Sequence, residues 1–199
     1  MGTAHRDESR LHRRSLLATA ALGSIGFVAG CLGDDEDVPE PVALDDGQAC
    51  DNCDMQIDMH PGPVGQAFYP DDYPEELPED REDGIAWFCS TRCTYAFTFD
   101  QEDRGYDPAV MYATDYSAVD FELSADAGAT VISSHLTADA FEDLEALTLV
   151  VDSDVEGAMG ASLIGFADES GAAEFEATHG GDQFEHDEIT PDVIAALGM

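Results

Sequence analysis

Short apolar runs alternate along this chain with stretches of helical period, and acidic loops divide them. Val64 to Phe68 and Ile85 to Phe88 are brief apolar runs bounded by loop-forming residues, which predicts strands. Ala129 to Ser133 reads the same way, and Leu147 to Val151 and Ala161 to Phe166 are clearer strands. Ser90 to Phe97 predicts a short helix with Ser90 as its N-cap. Asp168 to His179 predicts a second helix, closed by Gly180-Gly181, with Ala172, Ala173 and Phe175 on its buried side. Thr190 and Pro191 open a last short helix. Tyr69 to Asp83 holds three prolines and many acids and reads as a loop.

The pattern contains a faint internal repeat. Phe88 begins a strand-to-helix turn and Phe97 follows nine residues on; Phe166 begins another and Phe175 follows at the same distance. The first turn carries Cys89 and Cys93, where the second has Ala167 and Gly171. Two related halves, one bearing thiols, would produce this; chance recurrence of phenylalanine would too.

The first thirty residues follow another pattern. Arg6, Arg10, Arg13 and Arg14 precede an uncharged, apolar or small stretch from Leu16 to Gly30. That stretch is shorter than the roughly 20 apolar residues of a membrane span. A positive segment followed by a short apolar one is the form of an export signal, and the pair Arg13-Arg14 points to the twin-arginine route. Val28-Ala29-Gly30-Cys31 resembles a lipobox, so residues 1–30 are read as a lipoprotein signal and Cys31 as the lipidated residue. The protein is then expected at the outer face of the cell membrane, held by an acyl anchor. A plain cleaved signal beside an incidental cysteine is the alternative. Residues 31–43 are acidic and Pro-containing, without apolar period, and read as a tether.

Charge narrows the habitat. The chain has 44 Asp and Glu against 7 Lys and Arg, all seven arginine. Two acids and four arginines precede Cys31, which leaves 42 acids against 3 arginines and a net charge of −39 after it. Such self-repulsion opposes a compact fold, but in molar salt the Debye length falls to about 3 Å. The composition therefore reads as a haloarchaeal surface. It excludes nucleic-acid binding, which needs Lys and Arg on phosphates. The run Asp34-Asp35-Glu36-Asp37 lacks the alternation and glycine of an EF-hand loop and reads as a solvated face.

With Cys31 assigned to lipid, four thiols remain: Cys50, Cys53, Cys89 and Cys93. They form two close pairs, Cys50-Asp51-Asn52-Cys53 and Cys89-x-x-x-Cys93, the sort of spacing that marks metal or redox work. Met55 follows Cys53 by two residues, so on an extended strand the two side chains would share a face. Thiolate with thioether is a soft donor set that selects Cu(I). Met59 and His60 could enlarge it. Cys93 lies in a first helical turn beside Arg92, where a thiol pKa is lowered. Two disulfides, a structural four-cysteine zinc site and a Cys50/Cys53 oxidoreductase pair remain open. Met55 and Met159 taken singly suit packing as well as ligation. His60, His135, His179 and His186 show no paired ligand spacing and read as surface or satisfied histidines.

Three segments together resemble the NosL family: Cys50-x-x-Cys53-Asp54-Met55, then Gly157-Ala158-Met159-Gly160, then Phe166 through Gly180-Gly181 to Phe184. Members usually have glycine where Asp54 stands and proline where Ala158 stands. The segment Phe88-Cys89-Ser90-x-x-Cys93-x-x-x-Phe97 is similar instead to part of a TRASH- or YHS-type metal motif. The resemblance implies an α+β fold of two small related mixed α/β half-domains, each of strand-strand-helix-strand type, here residues 44–120 and 121–199. It implies a chaperone without catalytic turnover that binds one Cu(I) and delivers it to nitrous oxide reductase. Cys53, Met55 and Met159 match the family's ligands; Cys89 and Cys93 are further candidates, then Cys50.

Overall fold

Among the described residues, nine strands and three α-helices build the fold. The computed structural model describes residues 38–71, 73–79 and 81–198, all within one unit running from Glu36 to Met199. The signal, Cys31 and the acidic run after it lie outside the described residues.

The first sheet is antiparallel throughout, in the order β2 (Ala86–Phe88), β1 (Gly65–Phe68), β3 (Val110–Thr114), β6 (Phe141–Asp143). The predicted strands at 64–68 and 85–88 are both present. Strand β3 is buried at all five positions and so shows no period-2 alternation. Residues expected to be tether also belong here: Val42 N–H donates to Gln66 Oε1 at 3.0 Å, and the Gln66 amide donates back to Val42 O at 2.6 Å. Tyr112 O–H donates to Pro39 O at 2.8 Å.

The second sheet has the order β4 (Leu123–Asp126), β5 (Ala129–Ile132), β7 (Thr148–Gly157), β8 (Gly160–Phe166), with β9 (Asp182–Phe184) also paired to β7. Strand β7 runs beyond the predicted Val151, through a bulge between Val151 and Glu156. Its far end pairs in parallel with β5 and its near end antiparallel with β9, while β8 pairs along both ends. The sheets meet where Asp115 bridges Gly165. The buried Asp115 carboxylate accepts from Ser117 N–H at 2.8 Å and Ala167 N–H at 2.9 Å, fixing that junction.

Each sheet carries a helix. Helix α1 (Thr91–Glu102) starts at Ser90, whose hydroxyl accepts from Cys93 N–H at 3.1 Å. It runs five residues past the predicted Phe97. It lies close against β1 because Gly65 has no side chain: a Cβ there would fall 2.1 Å from Thr94 Oγ1. Helix α2 (Glu169–His179) starts at Asp168 and ends on Gly180 at φ 74°. Ala172 and Phe175 are buried in it, but Ala173 is exposed, contrary to expectation. Small size is no guide to face: one step beyond Ala172, Ala173 turns away from β7 and β8. Helix α3 (Pro191–Ala196) starts at Thr190 and packs on α1. Among the described residues no helix is long and apolar enough to cross a membrane.

The repeat is visible in three dimensions. Phe88 and Phe97 meet with ring centroids 5.2 Å apart and planes 49° apart, and Phe166 and Phe175 with 5.2 Å and 46°. In both copies the helix cap stands two residues after the first phenylalanine, as Ser90 and Asp168. The fold is mixed α and β, as expected, with two strand-to-helix units of the same local form.

Candidate metal centre

Two chain segments bring four sulfurs together. The first is a tight turn from Cys50 to Met55, closed by Cys50 N–H donating to Met55 O and Asp54 N–H to Cys50 O, both at 2.8 Å. Asp54 takes φ +62°. Residues 53–55 are therefore a turn rather than the extended strand expected, and Cys53 and Met55 do not share a strand face. The left-handed backbone at Asp54 costs least for glycine, with Asp among the side chains that tolerate it. The second segment is the turn from β2 into α1, where Cys89 directly follows the strand and Cys93 sits in the first helical turn.

The four ligand atoms all lie within 4.8 Å of one another, and among the described residues this is the one such group of Cys, His and acids. Cys53 Sγ is 3.5 Å from Cys89 Sγ and 3.9 Å from Cys93 Sγ, and Cys89 and Cys93 are 3.7 Å apart. A metal bound at about 2.3 Å by thiolates spaces them about 3.8 Å apart. The donor spacing thus fits a single soft ion without rearrangement. All four cysteines are free thiols, so neither disulfide pairing considered from the sequence is formed. Cys50, Cys89 and Cys93 are buried, and Cys53 is the partly exposed member.

The cluster divides its protons unequally. Hydrogen bonding to Cys50 and then to Cys89 pulls the Cys93 thiol down to about 2, with Ser90 and Asn52 adding to the effect. The same bonds to Cys50 and Cys93, together with burial, push the Cys89 thiol far up. At Cys50 the bond with Cys89 favours the ionised form, but the bond to Cys93 and burial outweigh it and leave the thiol at about 12. Hydrogen bonding and its place at the N-terminus of α1 thus favour the thiolate form at Cys93 over Cys50 and Cys89.

Met159 and Cys93 line the same open cavity of about 280 Å³, together with Asn52, Ala96, Phe99 and Ile194. Met159 sits in the turn between β7 and β8, where Gly160 takes φ +82°, and Arg92 donates to its carbonyl at 3.2 Å. Met55 is half-buried against the core. Met59 is 69% exposed in the next turn. Among the described residues no histidine joins the thiol group: His186 bonds Tyr95 O–H at 2.9 Å, His135 bonds Ser133 Oγ at 3.1 Å, and the His179 ring meets Phe175 at 4.7 Å with planes tilted by 47°.

Sequence reading missed Asp51 and Arg81. Asp51 lies inside the first cysteine pair and forms a two-pronged ion pair with Arg81, both contacts at 3.0 Å. An acid between two cysteines and a lone arginine in an acidic loop were the available signals.

The NosL family model matches residues 41–194. The chain belongs to the NosL family. The copper-binding lipoprotein NosL of Stutzerimonas stutzeri is 33% identical over 165 residues, spanning 81% of this chain and 73% of that protein. The crystal structure of the copper chaperone NosL from Shewanella denitrificans superposes with a TM-score of 0.58 at 27% identity, covering 77% of this chain and 98% of that one. These relatives are named for copper binding and chaperoning rather than for catalysis, and the four-cysteine cluster fits copper binding.

Proposed function

We propose that this protein is a lipid-anchored copper chaperone that holds one Cu(I) outside the cell and delivers it to nitrous oxide reductase, with no catalytic turnover. The observation that carries the reading is the sulfur cluster of Cys53, Cys89 and Cys93, spaced for one soft ion in a chain of the NosL family. Cu(I) prefers thiolate and thioether donors, and Met55 and Met159 are the thioethers of this reading. Cys50, wholly buried, serves as a reserve donor. Cys53 is the donor reachable from solvent, so ion exchange with a partner begins there.

The remaining parts of the reading concern address. Residues 1–30 act as a twin-arginine lipoprotein signal and Cys31 carries the lipid. The stretch from Cys31 to about residue 38 spaces the folded part from the outer face of the membrane, since Pro39 and Val42 already bond to the first sheet. Residues 44–120 and 121–199 are the two half-domains, the first carrying the thiols. The acidic surface suits a haloarchaeal cell working in concentrated salt.

The experiment is a Cu(I) titration of the reduced protein, followed by mixing with copper-free nitrous oxide reductase. Saturation at one equivalent, weakened by Cys53→Ser and by Met55→Leu, and recovery of copper in the reductase are expected. Binding indifferent to both substitutions overturns the reading. A second reading is favoured by the near-tetrahedral spacing of the thiols: a structural zinc site. Zinc retained against excess Cu(I), with the fold lost on its removal, would decide for that alternative.

A further inference from the structure

After Cys31 the chain keeps only three positive side chains, Arg81, Arg92 and Arg104. Arg104 pairs on the surface with Glu76 and Asp100. Arg81 is used differently. Its guanidinium donates from both terminal nitrogens to the Asp51 carboxylate at 3.0 Å, and from Nη1 to Ile85 O at 2.9 Å. It also lies 3.6 Å from the centre of the Trp87 ring. The pair is largely covered, the side chains being 14% and 13% exposed. That cover shields it from the salt that screens surface pairs.

Asp51 is the hub of this arrangement. Its carboxylate accepts from Trp87 N–H at 2.7 Å, and its own N–H donates to Trp87 O at 2.9 Å. The Cys50–Cys53 turn is thereby laced to β2 one residue before Phe88 and two before Cys89. The acidic loop supplies the lace. Tyr73 O–H donates to Pro78 O and Arg81 O, and Arg81 N–H donates to Tyr73, which closes the loop around the arginine.

We infer that Arg81 is a positioning residue for the metal centre, holding the Cys50–Cys53 turn against β2 through Asp51 so that Cys53 stays within reach of Cys89 and Cys93. Lysine could not replace it. A single ammonium cannot span both carboxylate oxygens, reach Ile85 O and stack flat on an indole. The inference rests on the copper reading for its consequence but not for its geometry.

The test measures Cu(I) affinity by chelator competition and amide hydrogen exchange for wild type, Arg81→Ala, Arg81→Lys and Asp51→Asn, in molar salt. The expected result is a copper affinity lower by about tenfold or more in all three variants, as for loss of an outer-shell partner. Exchange should quicken at residues 50–55 and Trp87 and stay unchanged in β7 and β8. A double substitution of Asp51 and Arg81 should cost less than the two single costs together. Unchanged affinity despite quicker exchange in the turn overturns the inference, and so does an unchanged turn. Exchange quickened across the whole fold overturns it as well, since the loss would then be general. If wild type binds no copper the functional reading fails, and the exchange pattern with the alkylation rate of Cys53 decides the clamp alone.

Discussion

Cys53 Sγ stands 3.5 Å from Cys89 Sγ across 36 positions of sequence. Three separate devices bring about this contact: the left-handed turn at Asp54, the lacing of Asp51 to Trp87, and the strand end from which Cys89 projects. On the copper reading, the contact makes Cys89 a central donor rather than a spare one. Cys89→Ser should lower Cu(I) affinity by more than the roughly 100-fold that loss of an outer-shell partner can cost. Chelator competition on reduced protein measures this, and wild-type affinity in the variant would remove Cys89 from the donor set.

Alkali should unfold the reduced, metal-free protein early. Cys50 and Cys89 have folded-state pKa values above the usual 9.0, and buried Tyr69, Tyr95 and Tyr116 lie above the usual 10.0. A group whose pKa rises on folding stabilises fully below its unfolded value and loses that stabilisation as pH climbs toward its folded value. Stability should therefore decline from about pH 9 toward pH 12. Cys93 works oppositely: its stabilisation is full above the unfolded pKa and drains away progressively as pH falls from there toward the folded value. Thermal melts from pH 7 to 11 test this, and a flat profile across that window would contradict it.

The second core can be damaged without touching the thiols. Phe175 is 5% exposed and packs against Phe121 and Phe166. Phe175→Ala should cost about 3–5 kcal/mol, read from the denaturant midpoint. One-equivalent copper binding should survive under folding conditions. By contrast Ser90→Ala should cost only about 1 kcal/mol of cap energy, yet weaken copper binding, because Ser90 fixes the Cys93 turn.

Salt dependence should be steep. A formal charge of −37 repels itself most where the Debye length is long. That length falls from about 10 Å at 0.1 M to about 3 Å at 1 M. Melting temperature should climb across this range, and a melting temperature indifferent to salt would argue against the haloarchaeal reading.

Much of the scaffold was readable in the residues, because caps and breakers are local signals. Ser90, Asp168 and Thr190 each announced a helix, and Gly180 ended one. Strands failed where burial was complete or short. Val110 to Thr114 has no exposed face to alternate with, and Phe141–Asp143 and Asp182–Phe184 are three residues each. The end of β7 was obscured by Asp152, Asp154 and Glu156, which alternate with buried Ser153, Val155 and Gly157 but looked like another acidic loop. At the centre, sequence named all four thiols yet ranked Cys50 last and set Cys89 and Cys93 apart. Their convergence depends on the pairing of β1 with β2 and on the Asp51–Trp87 lacing. No spacing rule along the chain encodes either. Arg81 stood out as a lone arginine in an acidic loop, but nothing along the chain named Asp51 as its partner.

The matching phenylalanine pairs carry one more consequence. At the position of Cys93 the second unit has Gly171, and a Cβ there would meet only Phe166, Ser117 and Asp168 at 3.5 to 3.9 Å, ordinary contact distances. Sterics thus leave a side chain at Gly171 open. The second strand-to-helix turn is an undecorated duplicate frame, and it offers a ready socket in which a second pair of thiols could be installed by Ala167→Cys and Gly171→Cys to ask what turns such a frame into a metal site.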